Sequence, residues 1–308
     1  VFRAAWAFQQ EGLGRSILIG REEIIREGLK NAGLPVDADF EIHHARTAPH
    51  VEMYTDFLYQ RLQRRGYLKR DVLRLANNDR NVYAALMLAH GHADGMVTGV
   101  TRNYDVALEN VRLALDPRPG ERLIGVSIIL SKGRTLFVAD TNITELPTSQ
   151  DIAEIGMQVA HAARALGHTP KVAFISYSNF GNPDTEHSRR VAGAVRILDA
   201  RGDIDFEYEG EMTPRMALNE RIREAYPFAR LKGEANVLVT PGVHSASIST
   251  KLLGEIGGAT VLGPLLIGLE HPVQIAQIGA RVADIVTLAA MAAYELDMEH
   301  RSWAEKTA

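Results

Sequence analysis

The chain has 308 residues, 46% hydrophobic and 23% charged, ordinary values for a globular protein and enough length for two packed domains. A net charge of −4 argues against a nucleic-acid surface, and no apolar run reaches the roughly 18 residues of a membrane span; GATVLGPLLIGLEHP comes nearest and is broken by Gly, Pro and a charge. The absence of cysteine excludes disulfides, thiolate metal sites and cysteine nucleophiles, and agrees with a cytoplasmic location.

The chain opens at Val1 on VFRAAWAFQQEG, an amphipathic helix already under way, which predicts a piece cut from a longer polypeptide, with a processed N-terminus as the alternative; no signal-peptide pattern opens it. Strand and helix signals then alternate, the pattern of an α/β protein with largely parallel sheets. SILIG (16–20) is a short apolar strand closed by glycine. Helices are expected over 51–65 and 79–90, a strand in DGMVTG (94–99) and a helix in NYDVALENVRLAL. Arg118–Gly120 punctuates the chain as a crossing between domains. LIGVSIIL and RTLFVADT, joined through Ser131–Gly133, predict an antiparallel hairpin.

The clearest helix lies in PTSQDIAEIGMQVAHAARALGHTP, where Ile152, Ile155, Val159, Ala162, Ala163 and Leu166 share a face, with Gly167 and Pro170 beyond. KVAFISY is a buried-type strand, followed by the loop SNFGNPDTE and an Arg-rich helix. Thr213-Pro214 opens a further helix. NVLVT and VLGPLLIG read as strands either side of a short helix, and DIVTLAAMAAYEL is a terminal apolar helix with a peripheral or frayed tail, MEHRSWAEKTA.

Thr148 or Ser149 can cap the long helix, with Asp151 completing a capping-box pattern, or the same free N–H groups can hold a phosphate or carboxylate. Ser176, Ser178 and Asn179 follow a strand's carboxyl end, where α/β sheets gather ligands, although plain turn chemistry would select the same residues. His90-Gly91-His92-Ala93-Asp94 has H-x-H-x-D metal spacing without a second ligand cluster, and reads otherwise as a helix-end histidine pair. Neither G-x-G-x-x-G, a P-loop nor G-x-S-x-G occurs, so nicotinamide, ATP and serine-hydrolase sites lack sequence support.

Several segments in order resemble the phosphate acetyl/butyryltransferases: ADGMVTG (93–99), FVADTNITELPTSQDIAEIG (137–156), KVAFISYSNFG (171–181), ANVLVTPG (235–242) and GPLLIGLEHPV (263–273). The resemblance implies a two-domain α/β/α sandwich with mostly parallel sheets, of the isocitrate/isopropylmalate dehydrogenase-like, phosphotransacetylase type. It places one domain at 1–118 plus 261–308 and the other at 119–260, with a ligand cleft between them. Active relatives carry N-D-L-S-R-G after the P-V/I pair, then an Asp seven residues after the Ser. Here Gln277 stands for that Ser and Ile278 for the Arg, and only the Asp remains, as Asp284. A second family Arg falls on Glu109, and G-N-I-G-Y-K has become Ala246–Lys251.

By this resemblance Asp284 is the retained catalytic position. Thr148, Ser149, Ser176, Ser178, Asn179, Lys251 and Gln277 are ligand-binding candidates, and no metal is expected in the chain. The departures resemble the C-terminal phosphotransacetylase-like domain of bacterial hybrid malic enzymes. That implies acetyl-CoA or a related CoA thioester as effector, no transacetylase activity, and a homodimer within a larger parent oligomer. NADP and a divalent metal (Mg or Mn) would then serve a malate-decarboxylating domain upstream. The alternative is an active phosphate acyltransferase using Arg102, Arg112 or Arg281 as displaced cations.

Overall fold

The computed structural model describes residues 1–307, with side chains through Met298. Its contacts divide the chain into two compact units, Val1–Arg118 with Leu269–Ala308, and Pro119–Gly268. The first crossing falls at the Pro-rich punctuation. The second lies at Gly268/Leu269 and not after residue 260, because residues 260–267 are an edge strand of the second unit's sheet.

The first unit begins with α1 (Phe2–Gln10), β1 (Ile17–Ile19), α2 (Glu22–Asn31) and β2 (Glu41–His43), with β1 and β2 parallel. Leu18, Ile25, Leu29, Ala38 and Phe40 form its small core, covered by Phe2 and Trp6. Next come α3 (Val51–Leu62), α4 (Lys69–Asn78), α5 (Arg80–Ala89), β3 (Met96–Gly99) and α6 (Tyr104–Arg112). Asp79 starts α5 by accepting from the backbone N–H groups of Asn81 and Val82, which are among the donors a helix start leaves unpaired.

The second unit is built on one six-stranded sheet. The hairpin β4 (Ile124–Ser131) and β5 (Arg134–Ala139) turns through Lys132 and Gly133, both at positive φ as a tight hairpin requires. After it come α7 (Ser149–Ala165), β6 (Lys171–Ile175), α8 (Glu186–Asp199), β7 (Glu207–Met212), α9 (Pro214–Ala217), α10 (Glu220–Arg223), β8 (Val237–Val239), α11 (Val243–Glu255) and β9 (Thr260–Ile267). The strand order is β7-β6-β8-β5-β4-β9, parallel from β7 to β5 and antiparallel across β4 to β9. Side chains alternate across this sheet. Val138, Ala173, Ile175 and Leu238 pack with Met216, Ala217 and Ala246, while Phe174 and Val239 meet α7 at Gly156 on the other face. Helices on both faces make the sandwich. The helix opened by Pro214 is only one turn long.

The chain returns to the first unit with β10 (Val273–Ala276), parallel to β3, and α12 (Val282–Thr307). The helix continues through the tail expected to be frayed; the side chains beyond Met298 lie outside the described residues. No helix among the described residues is long and apolar enough to cross a membrane.

Between α10 and β8 the loop is organised by Arg223, only 3% exposed. Its guanidinium donates to the backbone carbonyls of Leu231, Met216, Ala217 and Gly233. Removing it would leave several buried acceptors without donors. Arg223→Met is therefore expected to lower unfolding stability by about 3 kcal/mol or more, read by urea denaturation.

In the first unit four histidines gather around two buried tyrosines. His92 lies with ring centroids 4.4 Å from His50 and 6.2 Å from His90, and is hydrogen-bonded to Tyr54. Burial chiefly, then the neighbouring His50, His90 and His43, lower the His92 pKa from its usual value near 6.5. Burial, with Tyr83 beside it, pushes the Tyr54 phenol up to about 12. The folded state thus holds the His92 proton less tightly than the unfolded chain does. The resulting stabilisation is complete above the unfolded pKa of about 6.5 and is lost as pH falls through the lower folded value. Melting temperatures measured from pH 7.5 to 5 are expected to fall on acidification, and to fall less for His92→Gln.

Candidate functional site

In the first unit, β10 and β3 run side by side with Ala276 opposite Gly99, so the backbone after β10 emerges next to the segment after β3. Gly99 has φ +104, and a Cβ there would collide with the Ala276 carbonyl, so glycine is needed for this approach. Gln277 comes directly after and is half-buried; Ile278 is 62% exposed. The Ala280 N–H donates to the Gln277 carbonyl at 3.1 Å, closing a turn that delivers the chain to Arg281 and α12.

Asp284 sits three residues after Arg281, in the first turn of α12. Its Oδ2 accepts the Arg281 backbone N–H at 2.8 Å and Nε at 3.2 Å, and its Oδ1 accepts from the guanidinium at 3.0 Å. This is the backward half of a capping box, strengthened by an ion pair. The Arg281 guanidinium, against a smaller effect of burial, holds the Asp284 carboxyl below its usual range. Such a carboxylate is a poorer proton acceptor than a free one.

The other candidate cations of this unit are placed differently. Arg102 pairs with Asp79 at 2.5 Å, and Asn110 donates to the same oxygen. Glu109 is exposed. Arg112 lines a separate cleft with Arg61 and Arg65. Asn81, 8% exposed, accepts from Thr98 at the end of β3 and leaves its Nδ2 without a partner.

His90 closes α5, its Nδ1 2.8 Å from the Leu86 carbonyl, and Asp94 is exposed. Among the described residues no group of three or more His, Asp or Glu is placed to hold a metal ion.

In the second unit, Thr148 is the N-cap of α7. Its Oγ1 accepts from the Asp151 N–H at 3.2 Å, and Asp151 accepts the Thr148 N–H at 2.8 Å. Burial works to raise the Asp151 pKa, but hydrogen bonds from Thr148 and the Arg122 guanidinium outweigh it and leave it lowered. Of the two readings of this helix start, the cap is formed. Ser149 has another partner: its Oγ donates to the Arg190 carbonyl at 2.7 Å, where Gly193 lets α7 and α8 approach.

Ser176, Ser178 and Asn179 are brought together. The two hydroxyls are 2.9 Å apart, and Ser178 Oγ donates to Glu211 Oε1 at 2.9 Å, all three side chains being buried. Since the Ser178 proton goes to the carboxylate, Ser176 donates to Ser178. The Gly181 N–H reaches the same Glu211 oxygen, and Asn179 Oδ1 accepts the Thr213 N–H. The loop after β6 is thereby pinned to the end of β7. Lys251 lies on exposed α11 and donates to Ser247 Oγ at 2.8 Å.

Two carboxylates escape a motif reading. Glu211 organises the serine loop from 33 residues away in sequence. Asp140, 1% exposed, accepts the N–H groups of Gly125, Asn142, Ile143 and Thr144 and shapes the turn after β5. The only sequence signal for Asp140 is an acid directly after an apolar strand; Glu211, in the strand EYEGEM with Glu207 and Glu209, has none.

The sequence matches the phosphate acetyl/butaryl transferase family over residues 1–293. It is 56% identical over 295 residues to the NADP-dependent malic enzyme of Rhizobium meliloti (strain 1021), covering 96% of this chain and 39% of that protein. To the phosphate acetyltransferase of Bacillus subtilis (strain 168) it is 27% identical over 283 residues, covering 90% and 85%. A phosphotransacetylase from Streptococcus pyogenes superposes with a TM-score of 0.88 at 26% identity, over 97% of this chain and 91% of that one. The chain thus spans about two fifths of the malic enzyme it matches and most of the free-standing transferases. It belongs to the phosphate acetyl/butaryl transferase family, has the phosphotransacetylase fold, and corresponds to the phosphotransacetylase-like part of NADP-dependent malic enzymes.

Proposed function

We propose that this chain binds acetyl-CoA or a related CoA thioester as an effector without transferring its acyl group, as the regulatory and oligomer-forming part of an NADP-dependent malic enzyme. The observation that carries this reading is the Gln277–Asp284 turn. Transfer between CoA and phosphate needs an acceptor for the thiol proton and a donor for charge growing on the carbonyl oxygen. Ile278 supplies no donor. Gln277 has a neutral amide where a hydroxyl is expected, and Asp284 is committed to Arg281. Loss of one fixed donor at such an oxygen costs on the order of a hundred- to a thousandfold in rate.

The displaced cations do not restore the chemistry. Arg102 is neutralised by Asp79 and Arg281 by Asp284, while Arg112 faces another cleft. The buried Ser176–Ser178–Glu211 chain holds the loop after β6 in a fixed shape, which supports a ligand-binding role for that loop rather than an activating one. Oxidative decarboxylation of malate to pyruvate, with NADP and Mg or Mn, is assigned to the rest of the parent protein. Exposed Ile248, Leu252 and Ile256 on and after α11 support a homodimer of this chain within a larger assembly.

Calorimetric titration with acetyl-CoA is expected to show saturable binding; no heat at millimolar ligand would contradict the proposal. Restoring the donors with Gln277→Ser/Ile278→Arg is expected to raise acetyl phosphate-dependent acetyl-CoA formation about tenfold or more. Gln277 is itself a ligand-binding candidate, so acetyl-CoA affinity is measured alongside and the rates are compared at saturating CoA and acetyl phosphate. An unchanged rate in a variant that still binds would count against the turn as the cause.

A further inference from the structure

The ends of α3 and α6 in the first unit border an open cleft of about 460 Å³, in the roughly 300–1,000 Å³ range of small-molecule sites. Arg61, Arg65 and Arg112 line it, with Asp116 the only acid among its lining residues. Arg61 is fixed: it makes a two-pronged pair with Asp116 at 2.8 Å, donates to the Leu113 carbonyl and lies over the Phe57 ring. Glu270, whose carboxylate accepts the Asp116 N–H, adds a second negative charge nearby.

Arg65 and Arg112 differ. Both are exposed, and neither has a carboxylate within ion-pair distance among the described residues. Arg65 has only the Tyr67 ring, 6.0 Å away. Around them, six of the fourteen residues from Arg61 to Arg74 are Lys or Arg and one is acidic, in a chain whose net charge is −4. Positive charge is therefore concentrated here against the overall balance. Part of it suits the helix C-termini, which favour cations. That effect does not account for two unpaired guanidiniums facing one cleft, where each repels the other until an anion enters.

We propose that this cleft is a binding site for a small organic diphosphate, with Arg65 and Arg112 gripping the phosphates and Arg61 held in place beside them by Asp116. Planar guanidinium forks match phosphate oxygens two at a time. Leu113 and Pro117 give the organic part an apolar rest that a bare inorganic ion would leave unused. The site rests on none of the residues assigned above to CoA thioester binding.

Calorimetric titration of the 308-residue chain with ADP, and separately with inorganic pyrophosphate, tests it. ADP is expected to bind at 50 mM salt and more weakly at 200 mM, and more tightly than pyrophosphate. Arg65→Glu and Arg112→Glu should each reduce ADP affinity about tenfold or more, a change of at least about 1.4 kcal/mol, without moving acetyl-CoA affinity. Arg112→Lys should keep part of the binding. Both side chains are exposed, so unchanged melting curves will show that the variants fold. No heat from ADP at millimolar concentration, equal affinity in the charge-reversed variants, or one-for-one competition of ADP with acetyl-CoA would overturn the proposal.

Discussion

The first turn of the C-terminal helix closes on itself. Asp284 accepts the Arg281 backbone N–H and grips the same residue's guanidinium, so this carboxylate is already satisfied by its own helix. Upstream, the turn that would offer a hydroxyl and a fixed positive charge in an active relative offers an amide and an exposed isoleucine. The same eight-residue stretch therefore keeps its place at the end of β10 with different side chains after Ala276. Backbone geometry explains why: β10 is fixed against β3 through the Gly99 approach, and that pairing is indifferent to the side chains after Ala276.

Retention of the fold has a physical basis in the second unit as well. Three buried charged groups act there through backbone contacts. Asp140 gathers four N–H groups, Arg223 spans four carbonyls, and Glu211 ties the serine loop to β7. Each would be costly to remove, because a buried backbone group left without a partner loses its full hydration. None needs catalysis to justify it. A scaffold held in this way keeps the loop after β6 in shape whatever chemistry the chain performs, in line with the independence of fold and function.

Features governed by local chemistry are legible in the sequence. The β4–β5 hairpin comes from two apolar runs around Lys132-Gly133. The start of α7 comes from Thr148 and Asp151, and its buried face from Ile152, Ile155 and Val159. The family and its fold are legible because several blocks occur in order. The features that escape are either short or distant. The three-residue strand β2 is too short to show a period, whereas α2 and α4 do carry a helical one, with Ile25 and Leu29, and Val72 and Ala76, four residues apart and buried. The second crossing reads too early in sequence because residues 260–267 belong to whichever sheet hydrogen-bonds them, and β4 is more than a hundred residues away. Ser149 reads as a ligand hydroxyl, yet it ties α7 to Arg190, a contact with no sequence signature. Glu211 and Arg223 owe their importance to partners brought together only by folding.

Whether this phosphotransacetylase-type fold serves recognition and not turnover is tested most directly by the initial rate of acetyl-CoA formation from acetyl phosphate and CoA by the unaltered chain. A rate indistinguishable from buffer is expected, and the same for Asp284→Asn. Robust turnover that disappears in Asp284→Asn would show that the carboxylate still takes the thiol proton despite Arg281, and would contradict a role in recognition alone.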